Sequence, residues 1–209
     1  MSDTTAPTTT AEAEAASAPT TTSTADTVPA PTPTPGASEA ASGISTPSVL
    51  AHRAVRAVIS SLSAAGVANA DNLIRVLPDT APTAAAAAAQ LDCPVAAIAN
   101  SLMFEAAGQP LLVLTSGGHR VDTKALGPRV GLSKSAIKRA KPDFVKLHTG
   151  QTIGGVAPVG HPAPIRTLVD EELKNYEVVW AAGGHHMAVF PIDFETLVRI
   201  TNGTVVKVD

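Results

Sequence analysis

Ile98-Ala-Asn-Ser-Leu-Met-Phe-Glu-Ala-Ala-Gly-Gln-Pro-Leu-Leu-Val-Leu-Thr-Ser116 decides the fold. Ile98 to Glu105 and Pro110 to Ser116 are apolar enough for two strands. Ala106-Ala107-Gly108-Gln109 between them predicts a hairpin turn. Upstream, Thr46-Pro47 reads as an N-cap followed by proline at the first helical position. Val55, Val58, Ile59, Leu62 and Ala65 recur at helical spacing until Gly66 stops the helix. Leu73 to Leu77 is a short strand ending at Pro78, and Pro82 to Leu91 is an alanine-rich helix broken by Cys93-Pro94. Downstream, helices are expected over Asp122 to Val130 and Pro142 to His148. A strand follows from Arg166 to Val169, with Asp170 capping a helical turn through Leu173. Val178 to Ala181 and His186 to Phe190 form a second hairpin around Gly183-Gly184. Asp193 caps a helix running to Thr201, and Val205 to Val208 is a last strand at an edge. Strands and helices mix without strict βαβ alternation. The expected fold is therefore α+β, one domain with a mixed, partly antiparallel, barrel-like sheet surrounded by helices.

Composition separates that domain from what precedes it. The first fifty of the 209 residues hold 13 Thr, 11 Ala, 7 Pro and 7 Ser, with five acids and no basic or aromatic residue. Such a stretch buries too little apolar surface to offset an ordering entropy of about 1–2 kcal/mol per residue. Residues 1–46 therefore read as a disordered tail, and residues 47–209 as the domain. The tail also masks the charge of the domain. All 15 Lys and Arg lie beyond residue 50, against 13 of the 18 acids. Eight basic residues fall between Arg120 and Lys146, among them Lys124, Lys134, Lys138 and Arg139, against two acids, Asp122 and Asp143. A segment of that charge suits either a phosphate-bearing partner or a solvated helical face.

A lone cysteine, Cys93, excludes an intramolecular disulfide framework. Nothing reads as a secretory signal, a transit peptide or an 18-residue apolar span. A cytoplasmic protein with no membrane association is expected.

The second informative stretch is Thr149-Gly-Gln-Thr-Ile-Gly-Gly-Val-Ala-Pro-Val-Gly-His161. Its glycines and proline predict a shaped loop, either a structural turn or a cradle whose N–H groups face a carbonyl or phosphate. It matches neither the Walker A nor the Rossmann pattern. No Gly-x-Ser-x-Gly elbow is present, and Cys93 has no adjacent base. The six histidines (His52, His119, His148, His161, His185 and His186) form no His-Glu-x-x-His or Cys/His framework. His185 and His186, if on a strand, point to opposite faces and do not share a metal. His161, ending the loop, is the best placed to act as a base or donor. No cofactor and no metal site is indicated.

Five segments in order resemble the YbaK/ProX (EbsC-like) aminoacyl-tRNA deacylases, which are similar to the editing domain of bacterial prolyl-tRNA synthetases. Thr149-Gly150-x-x-x-Gly154-Gly155-Val156-Ala157-Pro158-Val159-Gly160 resembles the family loop. Ile98-Ala-Asn-Ser-Leu-Met-Phe104 resembles its Ile-x-Lys-Ser-Leu-x-Phe strand. Arg120-Val-Asp122 with Lys124, Arg166-Thr-Leu-Val-Asp170 and Val179-Trp-Ala-Ala-Gly-Gly184 complete the set, which spans residues 52–209. The resemblance implies hydrolysis, in trans, of the ester joining a mischarged amino acid to tRNA. Aminoacyl-tRNA is then the partner, with an aminoacyl-tRNA synthetase as a second one and no DNA. Carried over by position, Gly154 and Gly155 bind the ester carbonyl, Asn100 positions carbonyl, ribose or phosphate, and Asp170 and His161 orient water or line the pocket. Val156, Ala157, Pro158, Gly160 and Gly183 contact substrate, while Arg120, Lys124, Lys134, Lys138 and Arg139 hold tRNA. Asn100 stands where the family has lysine, replacing a full charge by a neutral amide. Two alternatives follow: a non-catalytic module binding aminoacyl-tRNA or another phosphorylated ligand, and a metal hydrolase using histidines.

Overall fold

In a computed structural model that describes residues 45–133 and 135–209, the hairpin at the centre of the chain forms as expected. Strand β2 (Ile98–Ala106) pairs antiparallel with β3 (Gln109–Ser116) through eight consecutive partners, Ala99 opposite Ser116 and Ala106 opposite Gln109. Ala107 (φ 50°) and Gly108 (φ 80°) both take positive φ, as a two-residue hairpin loop requires. Residues 1–44 of the proposed tail, and Lys134, lie outside the described residues.

Before the hairpin lie α1 (Thr46–Ala51), α2 (Arg53–Ala64), α3 (Ala70–Leu73), β1 (Arg75–Val76) and α4 (Ala84–Leu91). After it come α5 (Thr123–Arg129), β4 (Ile137–Arg139), α6 (Pro142–Thr149), β5 (Arg166–Asp170), β6 (Val179–Ala182), β7 (Ala188–Ile192), α7 (Phe194–Thr201) and β8 (Thr204–Val206). The single helix expected from Thr46 to Gly66 is divided. His52 adopts an extended conformation (φ −60°, ψ 132°) and caps α2, its Nδ1 accepting from the Ala54 N–H. Asp122 and Asp193 cap α5 and α7 in the same way, with their carboxylates accepting from backbone N–H groups two and three residues on.

The strand order is β1-β7-β6-β2-β3-β5-β8, with β4 on the far end of β2. Pairing is antiparallel within β1, β7 and β6, and parallel at β6/β2, β3/β5 and β5/β8. The sheet is thus mixed, and β8 stands at an edge as expected. Among the described residues no pairing joins β1 to β8. Alternation along β2 and β3 sends Ala99, Met103, Leu112 and Leu114 into a large core with α2 and α7. It sends Phe104, Leu111 and Val113 to the opposite face, with Leu126 of α5 and Val208. A third cluster joins Ala87, Ala88 and Leu91 of α4 to Ile98, Trp180 and Val189.

One detail of this topology positions the site. The outer edge of β2 is shared by two short neighbours, β6 beside Ile98 and Ala99 and β4 beside Phe104 to Ala106. In an antiparallel pair every second residue turns both its N–H and C=O to the partner strand. Ile98 accepts from Gly117, so the even residues of β2 bond β3 and the odd ones face outward. Met103 C=O is taken by the Ala140 N–H. Ser101 N–H, Ser101 C=O and Met103 N–H fall in the gap between β6 and β4 and have no strand partner among the described residues.

Candidate active site

A cavity of about 510 Å³ opens at that gap. Its walls come from β2 (Asn100 to Met103), the end of β4 (Arg139), β6 (Trp180 to Ala182), α4 and the glycine-rich loop. Side chains of α4 are almost all alanine, which leaves space beside Trp180 that larger residues would fill. Among the described residues no carboxylate, lysine, cysteine or tyrosine lines the cavity, and its ionisable members are Arg139, His185 and His186. Ser101 contributes, besides its outward backbone groups, a buried hydroxyl with no hydrogen-bond partner among the described residues.

The loop from Thr149 to His161 is shaped by its own polar groups. α6 ends as Gly150 takes a left-handed conformation (φ 68°). Thr149 Oγ1 donates to Val145 O at 2.7 Å and accepts from Gln151 N–H at 3.0 Å. Gln151 is buried, its Oε1 accepting from Ala157 N–H at 2.6 Å and its Nε2 donating to Val159 O at 3.3 Å. His161 Nε2 donates to Ala157 O at 2.9 Å. Burial lowers the His161 pKa below 6.5, partly opposed by that bond to Ala157, so the ring favours the neutral form. Gln151 is the residue that sequence reasoning passed over. Its only signal was an uncharged amide, able to donate and accept, inside a run of glycines.

Two adjacent glycines do different work. Thr152 to Gly155 is a turn closed by a 3.0 Å bond from Gly155 N–H to Thr152 O, with Gly154 (φ 90°) at the third position. A side chain on Gly154 would meet nothing within 4 Å, so its backbone angle alone demands glycine. A Cβ on Gly155 would lie 2.7–2.9 Å from backbone atoms of His185 and His186. The loop therefore seats directly on the turn between β6 and β7. Gly160 and Gly184 pack as closely against the α2 backbone, at Val58 and Ala54. Of the loop N–H groups, Gly155 is spent on Thr152 and Ala157 on Gln151. Those of Gly154 and Val156, both on the cavity lining, meet no acceptor among the described residues.

The expected site residues divide accordingly. Asn100, Gly154, Val156 and Arg139 meet at the cavity. Gly155, Ala157, Pro158, Gly160, His161 and Gly183 stand behind the lining and hold it in place. Asp170 is also away from the cavity, fully buried at the end of β5. Its Oδ2 accepts from Thr115 Oγ1, Ser116 N–H and His119 Nδ1, and its Oδ1 from Glu172 N–H. Arg120, Lys124 and Lys138 are exposed outside the lining. Arg139 lies over the Phe104 ring, 5.6 Å from its centre. His185 and His186 sit in the turn before β7, not on the strand expected to begin at His186. Their rings stack at 4.0 Å instead of facing opposite ways. Among the described residues no three His, Cys, Asp or Glu side chains converge on a metal-sized site, and no helix is long and apolar enough to cross a membrane.

Comparisons with known proteins point to one family. Residues 78–200 match the family model described as an aminoacyl-tRNA editing domain. The uncharacterized protein YwhH of Bacillus subtilis (strain 168) is 28% identical over 117 residues, 56% of this chain and 73% of that protein. The proline–tRNA ligase of Lactobacillus acidophilus is 32% identical over 115 residues, 54% of this chain but 20% of the ligase. Among solved structures, a candidate trans-editing enzyme for prolyl tRNA synthetase superposes with a TM-score of 0.68 at 34% identity, covering 75% of this chain and 96% of that one. The hypothetical protein APE2540 gives a TM-score of 0.65 at 26% identity, covering 73% and 98%. The matched segment contains every wall of the cavity except Leu77, and the chain belongs to the aminoacyl-tRNA editing domain family, in its YbaK-like deacylase branch.

Proposed function

We propose that the protein is a free-standing deacylase that hydrolyses the ester of mischarged aminoacyl-tRNA. The observation that carries this reading is the meeting, in one cavity, of two unengaged loop N–H groups and an unpaired stretch of β-strand edge. Ester hydrolysis places negative charge on the carbonyl oxygen, and preset N–H donors stabilise it. Loss of one such donor typically costs about 3–4 kcal/mol. Gly154 and Val156 are the donors assigned to that oxygen; Gly155, whose N–H is engaged, sets their position. The outward groups of Ser101 and Met103 are suited to the polar atoms of the aminoacyl group. The Asn100 amide assists as a neutral hydrogen-bond partner. The alanine face of α4 beside Trp180 receives an uncharged side chain, since among the described residues no carboxylate lines the cavity to meet a cationic one. Asp170 acts from behind, bracing β3 against the turn that follows β5.

Arg139 and Lys138, with Arg120 and Lys124 nearby in sequence, are assigned to acceptor-stem phosphates. A synthetase that releases mischarged tRNA is a second partner on this reading, and the cytoplasm its place of action. The experiment is a panel of mischarged tRNAs incubated with purified protein. Accelerated ester loss for at least one uncharged amino acid is expected; no acceleration across the panel rejects the proposal. Asn100, in place of a lysine, favours one second reading, a module that binds aminoacyl-tRNA without cleaving it. Salt-sensitive binding with no turnover selects that reading.

A further inference from the structure

Resting on the deacylase reading, we infer that His186 is the general base that activates the attacking water. Asn100, Ser101 and Thr83 carry no basic group, and the Arg139 guanidinium offers donors but no acceptor. That leaves the two imidazoles of the β6–β7 turn. His185 is already committed, its Nδ1 accepting from Met187 N–H at 3.2 Å. The neutral ring therefore carries its proton on Nε2 and has no free lone pair to receive another. Burial, then the neighbouring rings of His186 and His52, disfavour its protonation further. His52 is committed in the same way, its Nδ1 accepting from Ala54 N–H as the cap of α2, with its ring 5.1 Å from His185. His186 differs from both. It is exposed at the cavity, and among the described residues neither of its ring nitrogens has a hydrogen-bond partner.

Its placement relative to the loop is fixed by contact. The Cα of Gly155 rests on the peptide joining His185 to His186. Gly155 also lies between Gly154 and Val156, whose N–H groups are assigned to the carbonyl oxygen. Base and oxyanion donors are thus parts of one packed unit. The His185 ring lies 4.0 Å from that of His186, His52 stands 5.1 Å from His185, and Arg139 shares the cavity lining. The loop from Thr149 to Val156 supplies no ionisable group. Among the described residues no carboxylate lines the cavity.

The step balances without a further reactant. A ring nitrogen of His186 takes a proton from water as the water oxygen bonds to the ester carbon. The carbonyl electron pair moves onto the oxygen facing Gly154 and Val156. Collapse of the tetrahedral intermediate re-forms the carbonyl and expels the ribose oxygen, which takes the proton back from His186. The products are the free amino acid and a tRNA ending in a hydroxyl.

The test compares pH–rate profiles of wild type, His186→Gln, His186→Ala and His185→Gln on a hydrolysed member of the mischarged panel. Wild-type kcat is expected to fall at acid pH as the base is protonated. His186→Gln and His186→Ala should each lose about 10²–10⁴-fold in kcat and the acid limb with it, the usual range for a positioned base. Added imidazole should restore part of the His186→Ala rate, whereas His185→Gln should keep the acid limb. Because the side chain is exposed, thermal unfolding of both His186 variants should match wild type. Retention of wild-type kcat and acid limb by the His186 variants overturns the assignment and leaves the deacylase reading intact. Absence of wild-type turnover on every ester overturns both.

Discussion

Gly154 and Gly155 are neighbours of the same type, yet they resist substitution for different physical reasons. Gly154 sits at φ 90° in open space. Substitutions there are limited by backbone strain of about 1–3 kcal/mol, regardless of side-chain volume. Asparagine tolerates positive φ better than β-branched residues do. Gly154→Asn should therefore lose less stability than Gly154→Val in urea unfolding. At Gly155 the φ angle is unremarkable and the obstruction is the His185–His186 backbone. Loss there should follow volume, Gly155→Ala costing about 1–3 kcal/mol and Gly155→Val more. An equal loss for the alanine and valine variants would show that the loop does not rest on that turn. Substitution of Gly155 disturbs the wall of the cavity and its stability together. Activity of Gly154 variants is the cleaner probe of the loop amides: about a tenfold or larger fall in kcat/KM is expected for Gly154→Val, read on the hydrolysed ester.

At the scale of the element, the loop behaves as a clasp closed by Gln151 and His161. The His161 ring is kept neutral by burial, so its folded pKa lies below 6.5. Above that pH both folded and unfolded states hold the neutral ring, and the group contributes no pH dependence. As pH falls through 6.5 the unfolded chain takes up a proton that the folded one resists, and stability declines. Between pH 7.5 and 5.5 wild type should lose more unfolding free energy than His161→Gln. Parallel losses would mean that the ring is not buried against Ala157. The loop's glycines and its terminal histidine were visible in the sequence. The division of its N–H groups was not, because it depends on which carbonyl each donor reaches after folding. β4 escaped notice for a related reason. Three residues, Ile-Lys-Arg, carry no periodicity, and the strand exists because β2 offers an unpaired edge.

Over the whole molecule, the basic segment is less uniform than its charge suggests. Arg129 donates to the carbonyls of Lys207 and Asp209, at 2.7 and 2.8 Å, fastening α5 to the end of the chain. Arg166 donates to Val130 O at 2.8 Å. Lys138 and Arg139 remain exposed on β4, beside the cavity. Replacing either with alanine should lower the salt dependence of tRNA binding by about one released ion. Arg129→Ala should instead reduce thermal stability and leave the slope near wild type. An unchanged slope for Lys138→Ala and Arg139→Ala, measured by titrating tRNA at several salt concentrations, would remove this surface from the tRNA path.

Local chemistry alone determined the two hairpins, the capped helices, the α+β class and the ordered motifs of the editing family. Turn residues, caps and hydrophobic alternation act over a few positions and survive in the linear text. Tertiary structure decided which neighbours β2 has, and so where its edge stays open. It also drew Asp170 into a buried brace and placed His186 on the cavity lining beside the loop. Those outcomes depend on contacts between segments far apart in the chain, and nothing in the spacing of residues along it encodes which distant atom a donor will meet.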